Sequence, residues 1–297
     1  MNQETSLYKK RISTEFWLFL PSLVLLLLVS LFPLGFLIVA SFTDYTQGIG
    51  YGTFGGFSNW SRVFADDVYW RSWLRTGYYV GGGLTLQVLI GTAIALLIYE
   101  LPQGKGDKLV LTLWMLPIFV APVVAGLLGR FLLNTTYGLY SWILSSLFGF
   151  EQYALGTTGS AMPALILIDT WEWAPLITIV VLAGLQSLNE NYLEAAEVEG
   201  ASYFQRLRYV ILPLVSRPLM VAILVRSMDI LRFVDKIYIS TKGGPANSTK
   251  ITGYYLMENA FRFQDIGAAS AIGLTLLILT IILGQLFVKI LSRGETL

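Results

Sequence analysis

The chain contains no cysteine and no histidine among its 297 residues. Disulfides, thiolate nucleophiles and imidazole bases are excluded together, and so are the side chains that bind most transition metals. No metal site is expected. Charge is scarce too, since Asp, Glu, Lys and Arg make up only 13% of the chain and leave a net charge of +1. With no long basic run, nothing points to nucleic acid as a partner. A phosphate-binding Gly-x-x-x-x-Gly-Lys-Ser/Thr string is also missing. Gly104-Lys105 is followed by Gly106, which lacks the hydroxyl that would hold magnesium. The chain has no loop with which to draw on ATP.

What is plentiful is apolar surface. Hydrophobic residues make up 55% of the chain and the mean hydropathy is +0.64, a composition that fits a membrane protein and not a soluble domain. A bilayer core takes roughly 20 mostly apolar residues per helical span. Six such runs occur, near Phe16–Phe42, Leu74–Tyr99, Leu109–Leu133, Ala161–Leu185, Pro213–Ser240 and Gly267–Val288. The expected fold is all-α: one polytopic transmembrane domain over residues 1–297, with six transmembrane helices and short helices at the interface. The first run far exceeds the roughly 7–15 residues of a signal-peptide core and has no clear cleavage site, so it reads as a retained anchor.

Lys and Arg set the orientation. With both termini cytoplasmic, the inner segments (1–15, 100–108, 186–212, 289–297) carry nine in 60 residues and the outer ones (43–74, 134–160, 241–266) five in 85. Residues 186–212 are thus expected in the cytoplasm. On the other side, residues 57–73 set Trp60, Phe64, Trp70 and Trp73 among charges, as a helix lying at the interface would. Residues 139–148 read as another short surface helix, either a docking ridge or a cap on the bundle.

The inner segment 186–213 reads as two short helices joined at a corner. Asn191 with Glu194, and Ser202 with Gln205, have capping-box spacing; Gly200 suits a left-handed stop; Pro213 suits the first turn of the next span. Ala195 and Ala196 leave a low profile, while Glu190, Glu194, Glu197 and Glu199 offer carboxylates to a partner. An ordinary solvated loop helix would show the same capping chemistry.

The order Glu194-Ala195-Ala196, Gly200-Ala201, then Leu212-Pro213 resembles the EAA loop of permease subunits in bacterial ABC importers. Glu199 stands where that family usually has Asp, and Leu207 where it often has Phe. The turn Thr241-Lys-Gly-Gly-Pro245, then Thr249, Ala260-Phe261 and the small residues 267–271, with Gly56-Phe-Ser-Asn-Trp60 before them, are similar to the carbohydrate branch typified by maltose and glycerol-phosphate permeases. The resemblance implies a multi-pass subunit of the bacterial cytoplasmic (inner) membrane, not an enzyme, working by alternating access. It implies a coupling helix at 190–203, with Glu194, Ala195, Ala196, Gly200, Ala201 and Pro213 facing an ATPase. It also implies a second homologous permease, two ABC ATPase subunits carrying ATP and magnesium, and a periplasmic or extracellular solute-binding protein that delivers a sugar, polyol or related glycoside. No cofactor is expected in this chain, whose other contact is membrane lipid.

Ionisable groups inside spans are costly in hydrocarbon, about 2.5–3.5 kcal/mol or more each, and so mark a substrate path or an ion pair. Asp169, Trp171, Glu172 and Trp173 precede Pro175 in the fourth span, and Arg226, Asp229, Arg232 and Lys236 recur every three or four residues in the fifth. Asp169 and Glu172 reach a depth similar to that of Arg226 and Asp229. Two readings apply: ion pairs between spans, which suits Arg226, or hydrogen bonds to sugar hydroxyls with an indole stacked on the ring. Asp235 and Lys236 are read as solvated near the outer mouth. Gly77, Gly81, Gly82 and Gly83 make a thin face for helix packing. Two other classes remain in view: an ion-coupled secondary carrier using the buried acids, and a membrane enzyme using Asp169 and Glu172 as an acid/base pair.

Overall fold

The computed structural model describes residues 2–46, 52–101, 104–148, 154–188 and 190–293. Among them the secondary structure is helical, apart from two isolated bridges, Thr43 with Phe54 and Thr46 with Asp265. Five helices are long and apolar enough to cross a membrane, and a sharply bent pair makes a sixth if counted as one broken span. The chain divides into two compact units, Met1–Ala65 with Leu256–Thr275 and Asp66–Tyr255 with Leu276–Leu297.

In the first unit, α1 (Asn2–Ser41) leads to the short α2 (Ser58–Ala65). Asn59 ties them, donating through Nδ2 to the carbonyls of Ser41 (3.1 Å) and Thr43 (2.9 Å). Gly267 packs against this joint, where a Cβ would lie 2.6 Å from the Asn59 amide. Arg62 bonds Asp265 at 2.7 Å.

The second unit holds α3 (Asp67–Tyr99), α4 (Lys105–Met115), α5 (Pro122–Leu132), α6 (Leu139–Phe148) and α7 (Ala161–Gln186). It continues through α8 (Glu190–Val198), α9 (Tyr203–Arg206), α10 (Leu212–Arg232) and α11 (Asp235–Ser240), while α12 (Thr252–Met257) and α13 (Ile266–Arg293) each have residues in both units. The hub is α7, packed against α3, α5 and α10. Within its apolar stretch 67% of residues are buried, against 6% in α1, so α7 is a core helix while α1 presents its apolar surface outward. The α3–α7 contact is close because Gly82 and Gly91 leave room for Ile166 and Ile177. Gly77 and Gly81, expected on the same thin face, have nothing near them.

Three expectations of the sequence change. Residues 57–73 are not one interfacial helix: Asp66 accepts the Val68 N–H at 2.8 Å and caps α3, so Trp70 and Trp73 ride on the first turns of a span that begins at Asp67. The third span is not straight but bends by 99° between α4 and α5. Pro122 lacks an N–H and forces Ala121 into an extended conformation, φ −62° and ψ 141°. The fifth span breaks at Phe233, also extended, and α11 continues as a separate short helix with Asp235 in its first turn. It rests on α5, where Ser240 donates to the Gly126 carbonyl at 2.9 Å.

Candidate functional site

Two clusters emerge, one exposed and one buried. The exposed one is the corner between α8 and α9. Gly200 adopts φ +76°, a conformation that suits glycine. Its N–H reaches the Glu197 carbonyl at 2.9 Å, and the Ala201 N–H reaches Ala196 at 2.9 Å. Those two bonds form a Schellman stop. One residue on, the Ser202 N–H donates to Gln205 Oε1 at 2.7 Å and the Ser202 side chain accepts in return, completing the expected capping box. Arg206 pairs back to Glu197 across the corner. The other expected box differs, because Asn191 lies inside α8; Asn189, the preceding position, and the Glu190 side chain lie outside the described residues.

Glu194, Ala195 and Gly200 are exposed, Ala196 and Ala201 half-buried. Beneath them Leu193 and Leu207 pack on a core made by Ala95, Ile177, Leu185 and Val215, so the corner is seated on three spans. Pro213 stands in the first turn of α10, as expected, though the chain is already helical before it. The helix runs on from α9 through a π-turn at Leu207–Ile211, with the Leu212 N–H bonded to the Leu207 carbonyl. That wider turn accommodates the donor that Pro213 lacks.

The buried cluster joins α3, α7, α10 and α11. Asp169, Glu172, Arg226 and Lys236 are 2%, 0%, 1% and 5% exposed. Asp169 Oδ2 accepts from Arg226 Nη2 at 2.5 Å and Gln87 Nε2 at 2.7 Å, and its Oδ1 takes Lys236 Nζ. The buried Tyr79 side chain lies beside this carboxylate. Arg226 Nε donates to Gln87 Oε1 at 2.9 Å, and its guanidinium lies 4.7 Å from the Trp173 ring centre. Glu172 Oε2 lies 2.7 Å from Lys236 Nζ. The two acids and two cations cancel, which is what lets them persist inside an apolar bundle.

Arg226, Asp169 and Glu172 therefore meet as the ion-pair reading expects. Asp229 does not join them but bonds Arg232 at 2.6 Å, and Arg232 and Trp171 are exposed. Lys236, read as solvated, is instead buried between two carboxylates. The break at Phe233 is the cause, since it turns Lys236 off the α10 helix and back toward α7. Gln87 and Tyr79 went unread. An amide alone in an apolar run was a usable signal for Gln87; Tyr79 carried none.

These features define a class: a multi-pass helical membrane protein whose charge is gathered into one exposed corner and one buried quartet. Residues 87–296 match the family described as binding-protein-dependent transport system inner membrane component, and the chain belongs to it. The trehalose/maltose transport system permease protein MalF of Thermococcus litoralis is 33% identical over 239 residues, covering 80% of this chain and 79% of that protein. The trehalose transport system permease protein SugA of Mycobacterium tuberculosis is 28% identical, over 94% of this chain and 89% of its own. The sulfoquinovosyl glycerol transport system permease protein SmoG of Agrobacterium fabrum is 28% identical, over 93% of this chain and 89% of its own. Among solved structures, a bacterial ABC transporter involved in importing the acidic polysaccharide alginate superposes with a TM-score of 0.83. It has 22% identity over 97% of this chain and 99% of that one, a likeness of fold. The chain is thus a transport permease and not an enzyme, and the acid/base reading of Asp169 and Glu172 falls away with the ion-coupled carrier.

Proposed function

We propose that the chain is the permease subunit of an ATP-driven importer that carries a sugar, polyol or related glycoside inward across the cytoplasmic membrane by alternating access. A second permease, two ATPases holding ATP and magnesium, and an external solute-binding protein complete the assembly, and both termini face the cytoplasm. The substrate class is supported by relatives such as the trehalose/maltose and trehalose permeases, and the delivering protein by an alginate transporter structure bound to its periplasmic protein.

The observation that carries the coupling role is the preformed corner at 190–203. Its shape is fixed by its own backbone bonds while Glu194, Ala195 and Gly200 stay exposed. A rigid, exposed ridge seated on three spans can pass an ATPase movement to the bundle. Asp169, Glu172, Trp173 and Arg226 would then line or brace the substrate path. Gly200→Asp and Glu194→Lys should leave the protein inserted at normal levels but uncouple uptake from ATP hydrolysis. Normal uptake by both variants would remove the coupling assignment.

A further inference from the structure

The buried quartet leaves some of its polar atoms without hydrogen-bond partners. Glu172 Oε1 and Oε2, Arg226 Nη1 and Trp173 Nε1 are all buried and unbonded. Glu172 Oε2 nonetheless lies 2.7 Å from the Lys236 ammonium, so Glu172 Oε1 is the freer of its two oxygens. A buried donor or acceptor left unbonded carries its desolvation penalty uncompensated, the more so if charged, so such a cluster favours a ligand that both donates and accepts. Each cation is paired with carboxylate: Arg226 with Asp169, with Trp173 over its face, and Lys236 with both Asp169 and Glu172, so that only Arg226 Nη1 is left over as a charged donor.

We propose that this quartet makes the path selective for uncharged hydroxylated solutes, because Glu172 neutralises the one lysine that could otherwise receive an anionic group. A hydroxyl donates to Glu172 and accepts from Arg226 Nη1 or Trp173 Nε1, which satisfies both signs of unbonded group. A phosphate, sulfonate or uronate finds both cations of the quartet already balanced by carboxylates and meets the Glu172 charge in a buried place, where an uncompensated charge is strongly unfavourable. Glu172 acts here as a specificity-determining residue. Its substitution by Gln leaves Lys236 to Asp169 alone and the quartet with one positive charge in excess, while keeping the shape.

The inference rests on the sugar or polyol reading. The test uses the complete importer in nanodiscs without ATP or solute-binding protein, and reads thermal shift on adding trehalose, maltose or sorbitol, each beside its 6-phosphate. The wild type should respond to at least one neutral compound and not to its phosphate. Glu172→Gln should gain affinity for that phosphate on the order of tenfold, the ratio that about 1.4 kcal/mol supplies. Glu172→Gln with Lys236→Gln, which removes the cation left in excess, should lose the gain. A wild type that takes both forms equally overturns the charge selection and leaves the sugar reading standing. So does a Glu172→Gln variant that assembles yet gains no phosphate response, since a purely steric exclusion would survive the change. A wild type that responds to neither form in the panel overturns the sugar reading, and this inference with it.

Discussion

The exposed corner and the buried quartet are held together on different length scales. In the corner, bonds run from Gly200 to Glu197, from Ala201 to Ala196 and between Ser202 and Gln205, never more than five residues apart. In the quartet the partners are 57, 67, 82 and 139 residues apart in sequence. The corner is therefore shaped by local bonds and can stay exposed to meet another chain. The quartet exists only once four helices are assembled, and its charges are tolerable only together. A substitution in the corner should disturb coupling more than stability, and one in the quartet should do the reverse.

The largest effect tests the quartet. Lys236→Met leaves Glu172 with no cation and Asp169 with Arg226 alone. Breaking a buried pair by removing one member costs about 3–5 kcal/mol, so the denaturant midpoint of the purified protein should fall sharply. Adding Glu172→Gln to Lys236→Met should recover most of the loss, because the stranded charge is gone. If Lys236→Met unfolds with the wild type, the quartet does not tie α11 to α7, and the contrast with the corner collapses.

A smaller effect separates packing from charge. At Gly91 a Cβ would sit 2.7 Å from Ile177 Cβ and 2.8 Å from the Ala174 carbonyl, whereas nothing lies within 4 Å of Gly81 on the same helix. A backbone carbonyl cannot rotate aside, so Gly91→Ala should cost about 1–3 kcal/mol in the same unfolding measurement. Gly81→Ala should be neutral or gain several tenths of a kcal/mol from helix propensity. Equal effects at the two sites would mean that α3 and α7 do not meet as closely as Gly91 requires.

The same contrast of length scales explains what could be read in the sequence. Gly200, Ser202 and Gln205 were legible because capping rules act over one turn of chain, and the spans were legible because apolar length alone defines them. The bend before Pro122 was within reach, since the residue preceding a proline avoids the helical region. The break at Phe233 was not, for no proline or glycine marks it. Missing that break set Lys236 in line with Arg226, Asp229 and Arg232 as a solvated residue, when it completes the buried pairs. Spacing along one helix also placed Asp229 beside Arg226. Only the packing shows that Arg226 is buried against Asp169 while Asp229 turns to Arg232.

The smallest expected effect falls on the corner and bears on whether its shape is truly local. Ser202→Ala removes the side-chain half of the capping box while the Ser202 N–H keeps Gln205. Loss of such a cap costs roughly 0.5–2 kcal/mol of helix stability, but α9 runs on into α10 through the π-turn at 207–211, so the rest of the helix holds regardless. The global unfolding midpoint should therefore barely move. Amide hydrogen exchange at Tyr203–Arg206 should instead quicken several-fold, with the α7 amides unchanged, as local opening without global unfolding requires. Uptake should fall only in part, because the Gly200 stop and the Arg206–Glu197 pair still set the corner's direction. A Ser202→Ala protein whose exchange rises equally in α7 would show that the corner is not an independent element but shares its stability with the spans beneath it.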